Sequence, residues 1–424
     1  MAEKFIIKGG KTLKGVIEAR GAKNATFPIL AATLLTDEKC VVENIPLIKD
    51  VFNFIEILKS LGKEINWLSK RKIEVKGKTK RASEKTEELI KKLRGSVLIV
   101  GPLLARFREM SFPQPGGCLI GVRPISTHLD AFRQLGAQIE VQVCKDREYF
   151  SMKMGKVMNN KVVLNEFSVT GTENIILFAS LLDQETTIHI ADCDYETQEL
   201  IKFLKQMGAQ IEQLSSHTFK VKGQKKLEGA KQRIMDDPIE AGTFILMAAA
   251  TKSELIIKNT EVRYLELPLK RLRDFGLPLE IMDETTVKVR PWAELRMAKV
   301  QALPYPGIPT DLLPLFGVLA TQTEGTTLIH DPLYEGRLRY LNELNKMGAQ
   351  IIFADPHRAI INGPTELRGV QVDSPDLRGG ASLIVGALLA KGETIIRNAS
   401  QVDRGYEEIE KRFYKIGADI KRVK

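Results

Sequence analysis

One pattern of apolar and polar positions recurs six times along the chain. An amphipathic stretch with helical spacing ends in an apolar residue and a glycine, then gives way to a strand-like segment. The six endings are Leu61-Gly62-Lys-Glu-Ile, Leu135-Gly136-Ala-Gln-Ile, Met207-Gly208-Ala-Gln-Ile, Phe275-Gly276-Leu-Pro-Leu, Met347-Gly348-Ala-Gln-Ile and Ile416-Gly417-Ala-Asp-Ile. Their glycines lie 74, 72, 68, 72 and 69 residues apart. A glycine after the last helical turn takes the left-handed conformation that ends the helix, so each marks a stop. Ahead of each stop is a second helix of small and aliphatic residues, predicted over 28–35, 97–106, 174–182, 242–250, 312–321 and 381–390. Lacking a wide polar face, these six helices belong in the interior. β-branched runs at 186–190, 255–259, 326–330 and 394–398 predict strands after them.

The repeat is therefore about four strands and two helices in about 70 residues. One such repeat cannot bury its apolar helix alone, so three packed together make a domain and six make two. The fold class is α/β with two domains of three repeats each, and the division falls near 233–238. The pattern does not say where the first strand, at 4–7, pairs.

Composition narrows the class. With 424 residues, 43% apolar, 27% charged and 6% aromatic, the chain is of ordinary globular make-up and long enough for large cores. It has no apolar N-terminal signal stretch and no run near the roughly 18 to 20 apolar residues of a membrane span, so a cytoplasmic protein without membrane insertion is expected. Its four cysteines form no Cys-x-x-Cys pair, which argues against disulfides and structural zinc; Cys40, Cys144 and Cys193 read as buried and inert. The net charge of +10 favours anionic partners. The lysine-rich stretch at 70–92 has no interleaved aromatic residues, so it reads as a solvated face and no nucleic-acid partner is expected. The five histidines show no metal-binding spacing and read as surface or packing residues. No cofactor is expected, and no metal.

Candidate chemistry lies at the starts of the buried helices, which fall at equivalent points of successive repeats: Lys23-Asn24, Arg94-Gly-Ser96, Ser168-Val169-Thr170, Thr310-Asp311 and Asp376-Leu377-Arg378. Helix starts offer unpaired amides and a positive dipole end to anions, and Lys23, Arg94 and Arg378 would supply cations suited to phosphate or carboxylate. The segment Ser111-Phe-Pro-Gln-Pro-Gly-Gly-Cys118-Leu-Ile-Gly-Val-Arg123-Pro124 reads as an irregular loop. Its thiol, near Arg123, is placed for proton transfer or nucleophilic attack.

These residues resemble a known family. Gly-Ala-Lys23-Asn24-Ala, Gly-Pro-Leu-Leu-Ala-Arg-Phe, Pro-Gly-Gly-Cys118-x-Ile-Gly-x-Arg123-Pro124, Pro-Thr-Asp311, Asp376-Leu377-Arg378 and Asp403-Arg404-Gly-Tyr-Glu are similar, in order and over nearly the whole chain, to the UDP-N-acetylglucosamine 1-carboxyvinyltransferases, enolpyruvyl transferases of bacterial peptidoglycan synthesis. The resemblance implies a two-domain inside-out α/β barrel: 21–235 as one domain with the Cys118 loop, 1–20 plus 236–424 as the other, and the active site in the cleft between them. It implies two partners, phosphoenolpyruvate and UDP-N-acetylglucosamine, a target for fosfomycin, and a monomer or weak oligomer.

The implied reaction moves the enolpyruvyl group to the 3′-hydroxyl of the sugar by addition and elimination, releasing phosphate. Carbon 3 must gain a proton while the sugar hydroxyl loses one, so an acid, a base and an anion clamp are needed. By resemblance, Cys118 protonates or shields carbon 3 and Asp311 is the base. Lys23, Arg123 and Arg404 hold phosphoenolpyruvate, and Arg94 and Arg378 complete the cationic wall. The resemblance gives Asn24 to the sugar, Arg123, Pro124, Ile125, Ser126 and Thr127 to the uridine, and Ser168, Val169 and Thr170 to the diphosphate; Leu333, Asp376 and Leu377 also fall to substrate binding. The chain departs from the family at Ser126, where aspartate is usual, at Thr170, where glycine is usual, at Pro238 in place of an arginine, and at Gly95 in place of an alanine. Two alternatives are a 5-enolpyruvylshikimate-3-phosphate synthase and a divergent UDP-sugar-binding copy with little turnover. Asn24 and the Cys118 loop favour the amino-sugar enzyme over the first.

Overall fold

The computed structural model describes residues 3–117, 120–144, 147–157 and 159–424. They fall into two compact units: one takes the described residues of Gly21–Gly117 and Arg123–Met235, the other those of Met1–Arg20, Cys118–Val122 and Asp236–Lys424. The described residues 120–122 thus group with residues far from them in sequence. They are fixed there by Val122 N–H donating to Glu335 Oε1 (2.6 Å) and Gly336 N–H donating to Ile120 O (2.9 Å).

In the middle unit, two sheets have four strands and one has three. Their orders are Lys231–Arg233, Cys40–Glu43, Lys72–Lys76, Glu64–Ser69; then Gln210–Ser215, Thr218–Lys222, Glu185–His189, Lys161–Val163; and Glu109–Pro113, Arg147–Met154, Ala137–Cys144. Among the described residues, the second repeat therefore has three paired strands where four were expected. Lys231–Arg233, from the end of the third repeat, runs parallel to Cys40–Glu43 of the first and closes the set.

The other unit has three four-stranded sheets. Lys14–Glu18 pairs in parallel with Glu254–Lys258, and Lys299–Gln301 with Gly325–His330. The first strand, Lys4–Lys8, is sandwiched antiparallel between Glu393–Arg397 and Asp419–Val423, with Ile7 opposite Thr394 and Ile420. The last repeat thus borrows a strand from the start of the chain.

Inside each unit lie the apolar helices, with the sheets outside them. Pro238–Ala250, Leu313–Ala320 and Leu377–Leu389 touch one another and are almost wholly buried. Lys23–Ala32, Val100–Phe107 and Val169–Ala179 are their counterparts in the middle unit. Fully buried Phe244, Phe316 and Phe178 on them each stabilise by about 1.5–3 kcal/mol relative to exposure. Four of these helices start four or five residues earlier than the apolar runs indicate. Their first turns include the segments Lys23-Asn24, Val169-Thr170, Pro238-Ile-Glu240 and Leu377-Arg378. Ser168, Asp237 and Asp376 supply the side-chain caps.

All six stop glycines have φ between 88° and 104°. At Gly208, the glycine N–H donates to Lys205 O (3.0 Å) and Ala209 N–H to Leu204 O (2.9 Å), the paired bonds of a Schellman ending; Gly276, Gly348 and Gly417 repeat them. No helix among the described residues is long and apolar enough to cross a membrane.

Three sequence expectations are corrected. Residues 111–113 are the end of the strand Glu109–Pro113 and not loop, because Phe112 and Pro113 are buried against Phe150 and its neighbours. Cys144 ends a hairpin strand and is exposed; Cys193 is half-buried, and Cys40 is the one fully enclosed cysteine among the described residues. Burial pushes the Cys40 thiol up.

Candidate functional site

In the unit of residues 236–424, Asp311 sits in a short 3-10 turn, Thr310–Leu312, that leads into the buried helix Leu313–Ala320. Two guanidinium groups hold its carboxylate: Arg378 Nε donates to Oδ2 (2.8 Å) and Arg337 Nη2 to Oδ1 (2.8 Å). Arg378 is in the first turn of Leu377–Leu389, where Asp376 Oδ1 accepts from the Arg378 and Gly379 amides (2.9 and 3.0 Å). The cap fixes the backbone and thereby aims the side chain.

Arg378 is 1% exposed, and its Nη1 and Nη2 have no hydrogen-bond partner among the described residues. Its guanidinium centre lies 5.1 Å from the Tyr406 ring centroid. Burial opposes its charge, while Tyr406, Asp311 and Asp237 hold it ionised well above its ordinary value. Buried donors without acceptors are costly, and these two nitrogens can serve an anionic group.

Arg337 was missed in the sequence. Nothing in Glu335-Gly-Arg337-Leu-Arg339 separates it from a surface arginine, yet its side chain is 3% exposed. It also donates from Nε to Thr310 Oγ1 (3.1 Å) and lies 3.8 Å from Asp331 and 3.9 Å from Asp376. Burial works against its charge, but Asp311, Asp376 and Asp331 raise its pKa above the ordinary value. Asp331 in turn accepts from Thr310 Oγ1 and from the amides of Leu333 (2.9 Å) and Tyr334 (3.0 Å). Leu333 is thereby held with its side chain partly exposed, while Leu377 is buried. Arg404 ends the turn Ala399–Arg404, half-buried, with Nη1 donating to Gln401 (3.3 Å).

In the middle unit, Lys23 opens the helix Lys23–Ala32; it is 9% exposed, with Nζ 5.9 Å from the Phe27 ring centroid. Gly95 packs on the same ring, where a Cβ would come within 2.9 Å of it, which accounts for glycine beside Arg94. Arg94 Nη2 donates to Pro124 O (3.0 Å). Ile125 is the N-cap of the helix Ser126–Gln134; Ile125 and Thr127 are buried, Pro124 and Ser126 exposed, and Arg123 half-buried.

The start of Val169–Ala179 belongs to the same corner. Ser168 Oγ accepts from Gly171 N–H (3.2 Å), Thr170 Oγ1 is 3.0 Å from His128 Nε2, and Thr127 Oγ1 donates to Glu166 Oε1 (2.8 Å). Burial and the Arg94 charge push His128 down to about 3, so its ring is neutral. The structure thus joins Arg94, Pro124, Thr127 and Thr170, and it adds His128 and Glu166, which the sequence did not single out. Asn24 is half-buried and donates from Nδ2 to Glu196 Oε1 (2.8 Å), another carboxylate absent from the sequence reading. Cys118 lies outside the described residues.

The EPSP synthase (3-phosphoshikimate 1-carboxyvinyltransferase) family matches residues 7–413. A UDP-N-acetylglucosamine 1-carboxyvinyltransferase of Treponema denticola is 38% identical over 423 residues, covering 98% of each chain, and one of Porphyromonas gingivalis is 39% identical over 433 residues, covering 99% of each. Among solved structures, the enolpyruvyl transferase NikO from Streptomyces tendae superposes with a TM-score of 0.89 at 20% identity, over 100% of this chain and 99% of that one. An EPSP synthase from Acinetobacter baumannii gives 0.75 at 16% identity, over 100% of both. The fold is thus that of the enolpyruvyl transferases, and the chain belongs to the EPSP synthase family and, within it, to the UDP-N-acetylglucosamine 1-carboxyvinyltransferases.

Proposed function

We propose that this chain transfers the enolpyruvyl group of phosphoenolpyruvate to the 3′-hydroxyl of UDP-N-acetylglucosamine with release of phosphate, the first committed step of peptidoglycan synthesis in the cytoplasm. The observation that carries the reading is the Arg378 guanidinium, buried beside Asp311 with two terminal nitrogens unused. A preformed, dehydrated cation next to a carboxylate suits a reaction whose donor is an anion and whose acceptor must lose a proton.

In this scheme Asp311 accepts the proton of the attacking hydroxyl. Its oxygens accept from Arg337 and Arg378, which hold the carboxylate in one orientation. Cys118 delivers a proton to carbon 3 as the sugar oxygen bonds to carbon 2. Elimination then reverses the proton flow and expels phosphate. Lys23, Arg123 and Arg404 bind the phosphate and carboxylate of phosphoenolpyruvate, and Arg94 and Arg378 stabilise the charge of the tetrahedral intermediate. Asn24 serves the sugar, the 123–127 segment the uridine, and Ser168, Val169 and Thr170 the diphosphate.

The test is phosphate release from phosphoenolpyruvate with UDP-N-acetylglucosamine, with shikimate 3-phosphate, and with neither. Release with the first alone is expected. Release with shikimate 3-phosphate would install the alternative synthase, and no release with either would leave a sugar-nucleotide-binding protein.

A further inference from the structure

The strand Asp419–Val423 carries Arg422, whose five guanidinium N–H groups all reach carboxylates. Nη1 donates to Asp403 Oδ2 (2.8 Å) and Glu3 Oε2 (2.9 Å), Nη2 to Asp403 Oδ1 (2.5 Å) and Glu410 Oε2 (3.2 Å), and Nε to Glu410 Oε1 (3.1 Å). The guanidinium centre lies 4.8 Å from the Phe5 ring centroid. The bonds to Asp403, and after them those to Glu410, raise its pKa above the ordinary arginine value against partial burial. Of its three partners, Asp403 alone belongs to the turn Ala399–Arg404, whose last residue is Arg404. Next in the chain, a Cβ on Gly405 would lie 3.7 Å from Arg378 Nη1, and the ring of Tyr406 faces the Arg378 guanidinium. The turn therefore delivers the chain directly onto the arginine whose terminal nitrogens are unused.

We propose that Arg422 is a positioning residue for Arg404: its paired bonds to Asp403 fix the turn from behind, and so hold Arg404 where the anionic donor binds. A 3-10 turn has few internal bonds of poor geometry, so its place depends on ties to its surroundings. Here those ties are Ala399 N–H donating to Glu3 O (3.1 Å) at one end and the Asp403 carboxylate at the other. Two parallel bonds from a planar guanidinium to one carboxylate set orientation as well as distance, which a single contact does not. Fixing the backbone beneath a long side chain before ligand arrives removes part of the ordering cost of binding. The inference rests on the proposed role of Arg404 at phosphoenolpyruvate.

Steady-state kinetics on the full chain, with phosphoenolpyruvate and UDP-N-acetylglucosamine varied in turn, test it. Arg422→Lys keeps the charge but cannot span both Asp403 oxygens, and Asp403→Asn keeps the shape but loses one of the two acceptors. Each should raise the phosphoenolpyruvate KM by about tenfold, the scale of one charge-assisted hydrogen bond, with the acceptor KM within about twofold. KM does not depend on the fraction of chains folded, so a partly unfolded variant still gives a reading. Glu410→Gln leaves the pair of bonds to Asp403 in place and should move neither KM by more than about twofold. Arg404→Ala should raise the phosphoenolpyruvate KM by itself, and adding Arg422→Lys to it should raise that KM less than about twofold further, because a residue acting through Arg404 then has nothing to act on. An unchanged phosphoenolpyruvate KM in Arg422→Lys or Asp403→Asn, equal rises in both KM values, a matching rise in Glu410→Gln, or a full further rise in the double variant would each overturn the inference while leaving the reaction intact. A phosphoenolpyruvate KM unmoved by Arg404→Ala would overturn the parent assignment of Arg404, and this inference with it.

Discussion

Asp311 and Arg378 are joined by a single 2.8 Å bond from Nε to Oδ2, and the carboxylate's other oxygen is taken by Arg337. The carboxylate is thus the counter-ion of two nearly inaccessible guanidinium groups. Asp311→Asn keeps the shape and removes both the charge and the proposed base. Turnover measured by phosphate release should fall by about 10² to 10⁴-fold, the usual contribution of a positioned acid or base.

Arg337→Ala should cost more stability than activity assays alone would reveal. It leaves Asp331 and Asp376 buried without their nearby cation, and losing one member of a buried ion group costs about 3–5 kcal/mol. Urea unfolding reads this as a lower midpoint. Arg337→Lys should recover only part, since lysine cannot donate to Thr310 and Asp311 through a planar fork.

His128 and Asp194 give pH dependences of opposite sign. His128 is depressed to about 3 when folded, so its contribution is full above its ordinary value near 6.5 and is lost as pH falls toward 3. Asp194 is pushed up to about 7 by burial and by Asp192, so its contribution is full below its ordinary value near 3.8 and is lost as pH rises through 7. Thermal melts of His128→Gln should lose less stability than wild type between pH 6.5 and 3. Those of Asp194→Asn should lose less between pH 4 and 8. Parallel curves for variant and wild type would refute either assignment.

Two glycine substitutions separate conformational cost from crowding. At Gly208 a Cβ meets nothing within 4 Å but φ is +99°, so Gly208→Ala should cost about 1 kcal/mol through backbone strain alone. Gly101 has no such φ, but a Cβ there would come within 2.3 Å of Asn174 O on the helix it packs against. Gly101→Ala should therefore cost about 1–3 kcal/mol or more by forcing the helices apart. Denaturant midpoints of the two variants check the order.

The repeat was readable because its punctuation is local: a glycine that must adopt positive φ at Gly62 or Gly417 is visible in five residues of sequence. Helix starts were less legible. Lys23 and Thr170 were read as lying at helix starts, but the apolar runs begin at 28 and 174; the burial of Lys23 and the bonding of Ser168 to Gly171 put them inside a first turn. The site divided along the same line. Asp311, Arg378 and Arg94 were found from their recurrence at helix starts, whereas Arg337 and Glu196 owe their importance to contacts across 26 and 172 positions of chain. The strand near Lys4–Lys8 was legible but its partners were not, since they lie about four hundred residues away.

That strand carries a consequence for biosynthesis. The ribosome delivers residues 21–235 well before the segment 393–423 that Lys4–Lys8 must join, so the middle unit can mature while the opening strand still trails without neighbours. Until synthesis ends, Phe5 and Ile7 remain in contact with solvent or a chaperone, and this interval is when the nascent polypeptide is most open to wrong pairing.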